Sequence, residues 1–153
     1  MGFRFLPTTL SEVSNHRLMG LLLLLPTTAV LCVAFVLNPD PAGLGTHTQL
    51  GLKSCSVVSF VGVPCPMCGM TTTFSLMAQG QWLRGVMNQP FGAVLFFLTV
   101  GSTLLGWVEL FAPRGRLLRC FRWASQREVP IFIGLFSGLV VGWVYKIFLM
   151  GIF

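Results

Sequence analysis

Residues 18–37 read LMGLLLLLPTTAVLCVAFVL, twenty consecutive uncharged residues between Arg17 and the breaker Asn38-Pro39-Asp40-Pro41. A hydrocarbon core of about 30 Å takes about 20 apolar residues as α-helix, so this stretch predicts a membrane span. Pro26 would interrupt a helix in water, but the adjoining Thr27 and Thr28 carry hydroxyls able to serve the backbone groups it frees. The stretch is longer than a signal-peptide core, and no small-residue cleavage site follows it.

The rest of the chain agrees. Of its 153 residues, 54% are hydrophobic and 9% charged, against about 25% charged in a soluble domain. Two further apolar stretches predict spans at about 91–111, opened by Pro90 and closed before Pro113, and at about 131–148, where Lys146 is placed to snorkel toward headgroups. The fold class expected is an all-α membrane protein: three transmembrane helices plus a cysteine-bearing re-entrant or interfacial short helix, in one membrane domain spanning 1–153. A fourth span is the alternative, because Cys55 to Leu83 holds no charge.

Charge gives the orientation. Five of the ten basic residues, Arg114, Arg116, Arg119, Arg122 and Arg127, fall between the second and third apolar stretches. That placement reads as a cytoplasmic topology signal, not as a nucleic-acid surface, and no nucleic-acid partner is expected. The N-terminus with Arg4 and Arg17 is then cytoplasmic, and the segment 50–90 lies on the outer side. Leu117, Leu118, Phe121 and Trp123 interleave with the arginines and predict an amphipathic piece on anionic headgroups. Glu109, in the last turn of the second span, is expected to pair with a loop arginine.

The outer segment carries the chemistry. Gly62-Val63-Pro64-Cys65-Pro66-Met67-Cys68-Gly69-Met70-Thr71 sets two thiols among helix breakers, after which Met70, Phe74 and Met77 recur at helical spacing up to Gly80. A tight turn followed by a short helix of about ten residues is expected. Helix N-terminal amides favour a thiolate, which makes Cys65 and Cys68 the candidates for thiol–disulfide exchange. One CxxC supplies two of the four ligands of a structural zinc; His47 and Cys55 on the same side complete a Cys₃His set, although the spacing matches no standard finger. A fixed disulfide, or two thiols buried in a turn, is the third reading. Cys32 and Cys120 are expected away from this cluster, and His16 at the inner interface. Lys146 is placed in the same outer layer as the thiols, where a contact would stabilise a thiolate.

At these residues the chain resembles domain-of-unknown-function family 2752, small bacterial multipass membrane proteins with a motif of roughly CPxCGxTR. Cys65 to Thr71 matches through the threonine; Gly62, Pro64, Gly51-Leu52 before Cys55, Gly80 and the Asn88 to Gly92 stretch also look similar, a likeness covering about Leu50 to Leu98. Thr72 stands where the family has arginine, and Lys53-Ser54 replaces two prolines. The resemblance implies a multipass protein of the bacterial inner membrane and no established reaction.

Two more features complete the reading. Gly134, Gly138 and Gly142 step by four residues along the third span, a surface for close helix approach whose partner is another span or another copy of the chain. No nucleotide fingerprint, HExxH or serine–histidine–acid set occurs. The function expected is that of a membrane interaction or assembly subunit with a structural CxxC turn, with the lipid bilayer, a membrane protein or a second copy as partner. The alternatives are a thiol relay and a zinc-binding module; no other cofactor is expected.

Overall fold

A computed structural model describes residues 10–151. The described chain is helical and contains no strand: α1 (Leu10–Val36), a 3₁₀ turn (Thr46–Leu50), α2 (Ser56–Val61), α3 (Met70–Ala78), α4 (Trp82–Asn88), α5 (Pro90–Phe111), α6 (Arg116–Ser125) and α7 (Glu128–Leu149). Three of these, α1, α5 and α7, are long and apolar enough to cross a membrane. No more than 28% of any of their apolar windows is buried within the protein, so most of their side chains face outward. Phe35, Phe97, Phe132 and Phe148, all more than half exposed, suit lipid as the surrounding solvent and not water.

Local chemistry sets the ends. Pro90 opens α5 at the helix position where a missing N–H costs least. α7 starts at Glu128, ahead of the expected 131, because Pro130 falls in its first turn and Glu128 meets the positive end of the helix dipole. Pro26 is accommodated inside α1, where Thr27 Oγ1 donates to the carbonyls of Leu23 (2.8 Å) and Leu24 (3.2 Å). Thr28 Oγ1 makes no hydrogen bond among the described residues, so one hydroxyl serves, not the expected two.

The uncharged stretch Cys55–Leu83 does not form a fourth span. Gly62, Gly69 and Gly80, at φ of 72°, 87° and 78°, break it in the left-handed region. The longest piece, α3, has nine residues, about 13.5 Å of helix.

The chain divides into two compact units. In the first, described residues 10–30 with 98–131, α1 and α5 approach backbone to backbone: a Cβ on Gly20 would lie 3.1 Å from the Gly106 carbonyl, and one on Gly106 equally close to the Gly20 carbonyl. Glu109 is fully buried there. Its Oε1 accepts from the amides of Arg114 (3.1 Å) and Gly115 (2.6 Å), its Oε2 from that of Arg116 (3.0 Å), and His16 Nδ1 lies 4.0 Å away. The carboxylate thus caps α6 through backbone amides, where a guanidinium partner was expected. A four-residue link between α5 and α6 turns those amides onto it.

In the second unit, described residues 31–97 with 132–151, polar side chains knit the short helices together. Ser75 Oγ and Gln79 Nε2 donate to the carbonyl of Leu37 just past α1, and Thr46 and Thr72, both buried, share a 2.8 Å hydroxyl contact. Along α7, Gly138 and Gly142 lie against Phe91, whose ring or Cβ would come within 2.9 Å of an added Cβ; around Gly134 there is nothing within 4 Å.

Lys146 departs from expectation. It is 2% exposed and donates to Asn88 Oδ1 (2.7 Å), Asn88 O (3.3 Å) and Gly43 O (3.3 Å), so the ammonium is turned inward onto oxygens instead of snorkelling. Three acceptors match its three donors.

Candidate metal centre

The cysteine turn is held by its carbonyls. Trp143 Nε1 donates to Pro64 O (2.7 Å), Gln89 Nε2 to Pro66 O (3.1 Å) and Asn88 Nδ2 to Gly69 O (3.1 Å). Three of the four residues bordering the thiols, Pro64, Pro66 and Gly69, are therefore each fixed by a side chain from α7 or the α4–α5 junction. Within the turn the Cys68 amide bonds Cys65 O (2.9 Å) and the Met70 amide bonds Met67 O (3.1 Å), which delivers the chain into α3 at Gly69. Only glycine suits that position: φ is 87°, and a Cβ would stand 2.8 Å from the Gly43 carbonyl.

This geometry puts Cys65 Sγ 3.1 Å from Cys68 Sγ, without a bond between them. Cys55, the residue that opens α2, brings a third sulfur, and the three Sγ atoms all lie within 4.8 Å of one another. Around a tetrahedral zinc with bonds of about 2.3 Å, sulfurs stand about 3.8 Å apart, so the Cys65–Cys68 pair at 3.1 Å would open by about 0.7 Å. The sulfurs line a cavity of about 460 Å³ with His47, Met67 and Thr72 on its wall. His47 shares the cavity but stands outside the tight group; its Nε2 contacts the Lys53 carbonyl at 3.2 Å. Cys32 in α1 and Cys120 in α6 are exposed and take no part.

The thiols differ in acidity, and not as the helix N-terminus argument expects. Burial pushes Cys68 up to about 12, reinforced by hydrogen bonds with the Cys65 and Cys55 thiols. Cys55 is held down to about 7, chiefly by a hydrogen bond from the Val58 amide against a smaller desolvation cost, with Cys68 and Cys65 contributing less. A thiolate was expected at one of the pair Cys65 and Cys68; Cys68 is pushed the other way, and the thiol held down is Cys55. The Met70 amide at the start of α3 is already taken by Met67 O, while Cys68 is 8% exposed.

Of the set Cys55, Cys65, Cys68 and His47 that the sequence offers, the three cysteines come together; what holds them was missed. The signal was present: Asn88-Gln89 just before a span, and Trp143 within one, are polar groups that need partners wherever lipid excludes water.

Fold and site together define a helical membrane protein with a three-cysteine pocket in the segment between its first two long helices. Residues 55–102 match the model of a family described as protein of unknown function (DUF2752), a stretch that starts at the first of the three cysteines and runs into α5. The resemblance read from the motif holds over that stretch. No curated protein and no solved structure matches the chain.

Proposed function

We propose that Cys55, Cys65 and Cys68 bind a zinc ion, and that the metal-stapled segment is the working part of a membrane assembly subunit. The observation that carries this reading is the meeting of three sulfurs from two chain segments in one cavity. Thiolate ligands favour zinc among the common divalent ions. His47, on the wall of the same cavity, would swing in as the fourth ligand: with Nε2–H donating to Lys53 O, Nδ1 keeps its lone pair, the arrangement in which ligating histidines are usually held. Bound metal would tie the start of α2 to the start of α3, giving a partner a fixed surface. The arginine rule supports a cytoplasmic α6 and an outward-facing pocket in a bacterial inner membrane.

Purified detergent-solubilised protein should carry one zinc per chain by elemental mass spectrometry. Cys55→Ser, Cys65→Ser and Cys68→Ser should each lose it, while Cys32→Ser and Cys120→Ser should not. Metal-free wild type, or metal retained in all five variants, would refute the reading.

The 3.1 Å contact between Cys65 and Cys68 favours a second reading, a thiol relay in which these two sulfurs cycle to a disulfide while a partner disulfide is reduced. A trapped mixed disulfide in Cys65→Ser or Cys68→Ser would support it.

A further inference from the structure

We propose that the cavity between the Pro39–Gly43 loop, α4 and the end of α7 binds the headgroup of phosphatidylethanolamine, a phosphodiester that carries its own primary ammonium. The site is separate from the cysteine pocket and does not depend on it.

The cavity measures about 360 Å³. Asp40, Gln81 and Arg84 bring polar groups to its wall, and Leu76, Met87 and Leu149 make it apolar elsewhere. One charge of each sign thus borders the same space. They do not neutralise each other: among the described residues, neither Asp40 nor Arg84 belongs to an ion pair.

Each charge is fixed by one neighbour and keeps capacity for a ligand. Asp40 Oδ1 accepts from the Ala42 amide (2.8 Å), and Oδ2 makes no hydrogen bond among the described residues. Arg84 Nη1 donates to Gln81 Oε1 (2.8 Å) one helical turn back, and the rest of the guanidinium fork is uncommitted among the described residues. Lys146 stands behind the wall. Its ammonium is held by Asn88 and Gly43, which also line the cavity, so it adds positive potential without bordering the space itself.

The ends of the long helices set the depth. Asp40 comes four residues after α1 ends at Val36, Leu149 is the last residue of α7, and Asn88 ends α4 just before Pro90 opens α5. All three long helices therefore have an end beside this cavity, which puts it at the boundary of the hydrocarbon layer. Trp82, 60% exposed at the start of α4, is the residue type found at that boundary. Met87 and Leu149, 57% and 54% exposed, give acyl chains an apolar edge next to the charges.

Charge and hydrogen-bond chemistry select the lipid. A guanidinium fork takes a phosphodiester in a two-pronged fashion, and a carboxylate takes N–H donors from an ammonium. Phosphatidylglycerol has no cation for Asp40. Phosphatidylcholine has one, but its quaternary nitrogen carries no N–H to donate. Phosphatidylethanolamine satisfies both groups.

The test is native mass spectrometry of the full chain released from detergent containing equimolar phosphatidylethanolamine, phosphatidylglycerol and phosphatidylcholine of identical acyl composition. The wild type should retain phosphatidylethanolamine about fivefold over each of the others, the upper range of a solvent-accessible ion pair. Asp40→Asn keeps an oxygen for the Ala42 amide and should bring the three lipids to near parity. Arg84→Gln should lower retention of all three about equally, because they share the phosphate, while Arg122→Gln removes the same charge on α6 and should change nothing. Equal retention by the wild type would overturn the proposal, and so would a preference that survives Asp40→Asn or a retention indifferent to Arg84→Gln. Displacement of the lipid by equimolar soluble phosphoethanolamine would also overturn it, since the site would then take the free zwitterion.

Discussion

Glu109 and Cys68 are both buried acids beside the start of a helix, and the two sites treat them oppositely. At α6 three backbone amides point at the Glu109 carboxylate within 3.1 Å. At α3 the Met70 amide is turned to Met67 O, and burial keeps the Cys68 thiol protonated, up to about 12. Three aimed amides satisfy the Glu109 oxygens, whereas at Cys68 desolvation outweighs the one amide, that of Cys65, which reaches the sulfur at 3.3 Å. At the cysteine site the anion is displaced to Cys55, which has its own amide partner in Val58.

The largest effect that would sharpen this contrast is thiol reactivity in metal-stripped protein. With Cys55 at about 7 and Cys68 at about 12, at pH 8 most Cys55 is thiolate and Cys68 almost none. Lower intrinsic nucleophilicity of the more acidic thiol takes back part of the advantage, leaving a rate ratio of roughly 30–100. Site-resolved alkylation read by peptide mass spectrometry checks this. Cys55 labelling should rise with pH to a midpoint near 7; a Cys68 that labels as fast as Cys55 would break the comparison.

Next in size is Glu109→Ala. It leaves the part-buried amides of Arg114, Gly115 and Arg116 without their acceptor, at the low end of the about 1–3 kcal/mol that each unsatisfied buried donor costs. A loss of about 3–5 kcal/mol in detergent unfolding is expected for the variant, with Glu109→Gln keeping part of it. An unchanged unfolding midpoint would show that the amides find water instead.

Gly69→Ala should cost about 1–3 kcal/mol, since an alanine must adopt φ of 87° against the Gly43 carbonyl. It should also weaken zinc retention, because the same turn places Cys68. Loss of stability with zinc affinity unchanged would separate the turn from the site.

The smallest effect expected is from Lys146→Met, which removes the donor of Asn88 Oδ1 and two backbone carbonyls. About 1–2 kcal/mol should be lost, with alkylation of Cys68 accelerated as its neighbours loosen. Identical stability and labelling would mean that the lysine's hydrogen bonds are replaceable.

The three spans were legible because bilayer thickness converts directly into a count of apolar residues, and prolines mark their ends. The start of α3 was legible too, from Gly69 and the Met70–Phe74–Met77 spacing. The joining of Cys55 to the CxxC was only a compositional possibility: nine residues lie between Cys55 and Cys65, and the path between them turns on the left-handed Gly62, whose direction no periodicity encodes. Lys146 and Glu109 were misjudged for one reason. Both end on backbone or amide oxygens and nitrogens, groups that every residue carries and no pattern of side chains advertises. Lys146 finds Gly43 more than a hundred residues away, and Glu109 finds the next helix five to seven residues on.

X-ray absorption at the zinc edge on the purified full-length protein tests the central claim most directly. Three sulfur neighbours at about 2.3 Å and one nitrogen at about 2.0–2.1 Å are expected, with no bound-zinc edge left in Cys55→Ser. A shell made only of nitrogen and oxygen, or a sulfur count indifferent to Cys55, would contradict it.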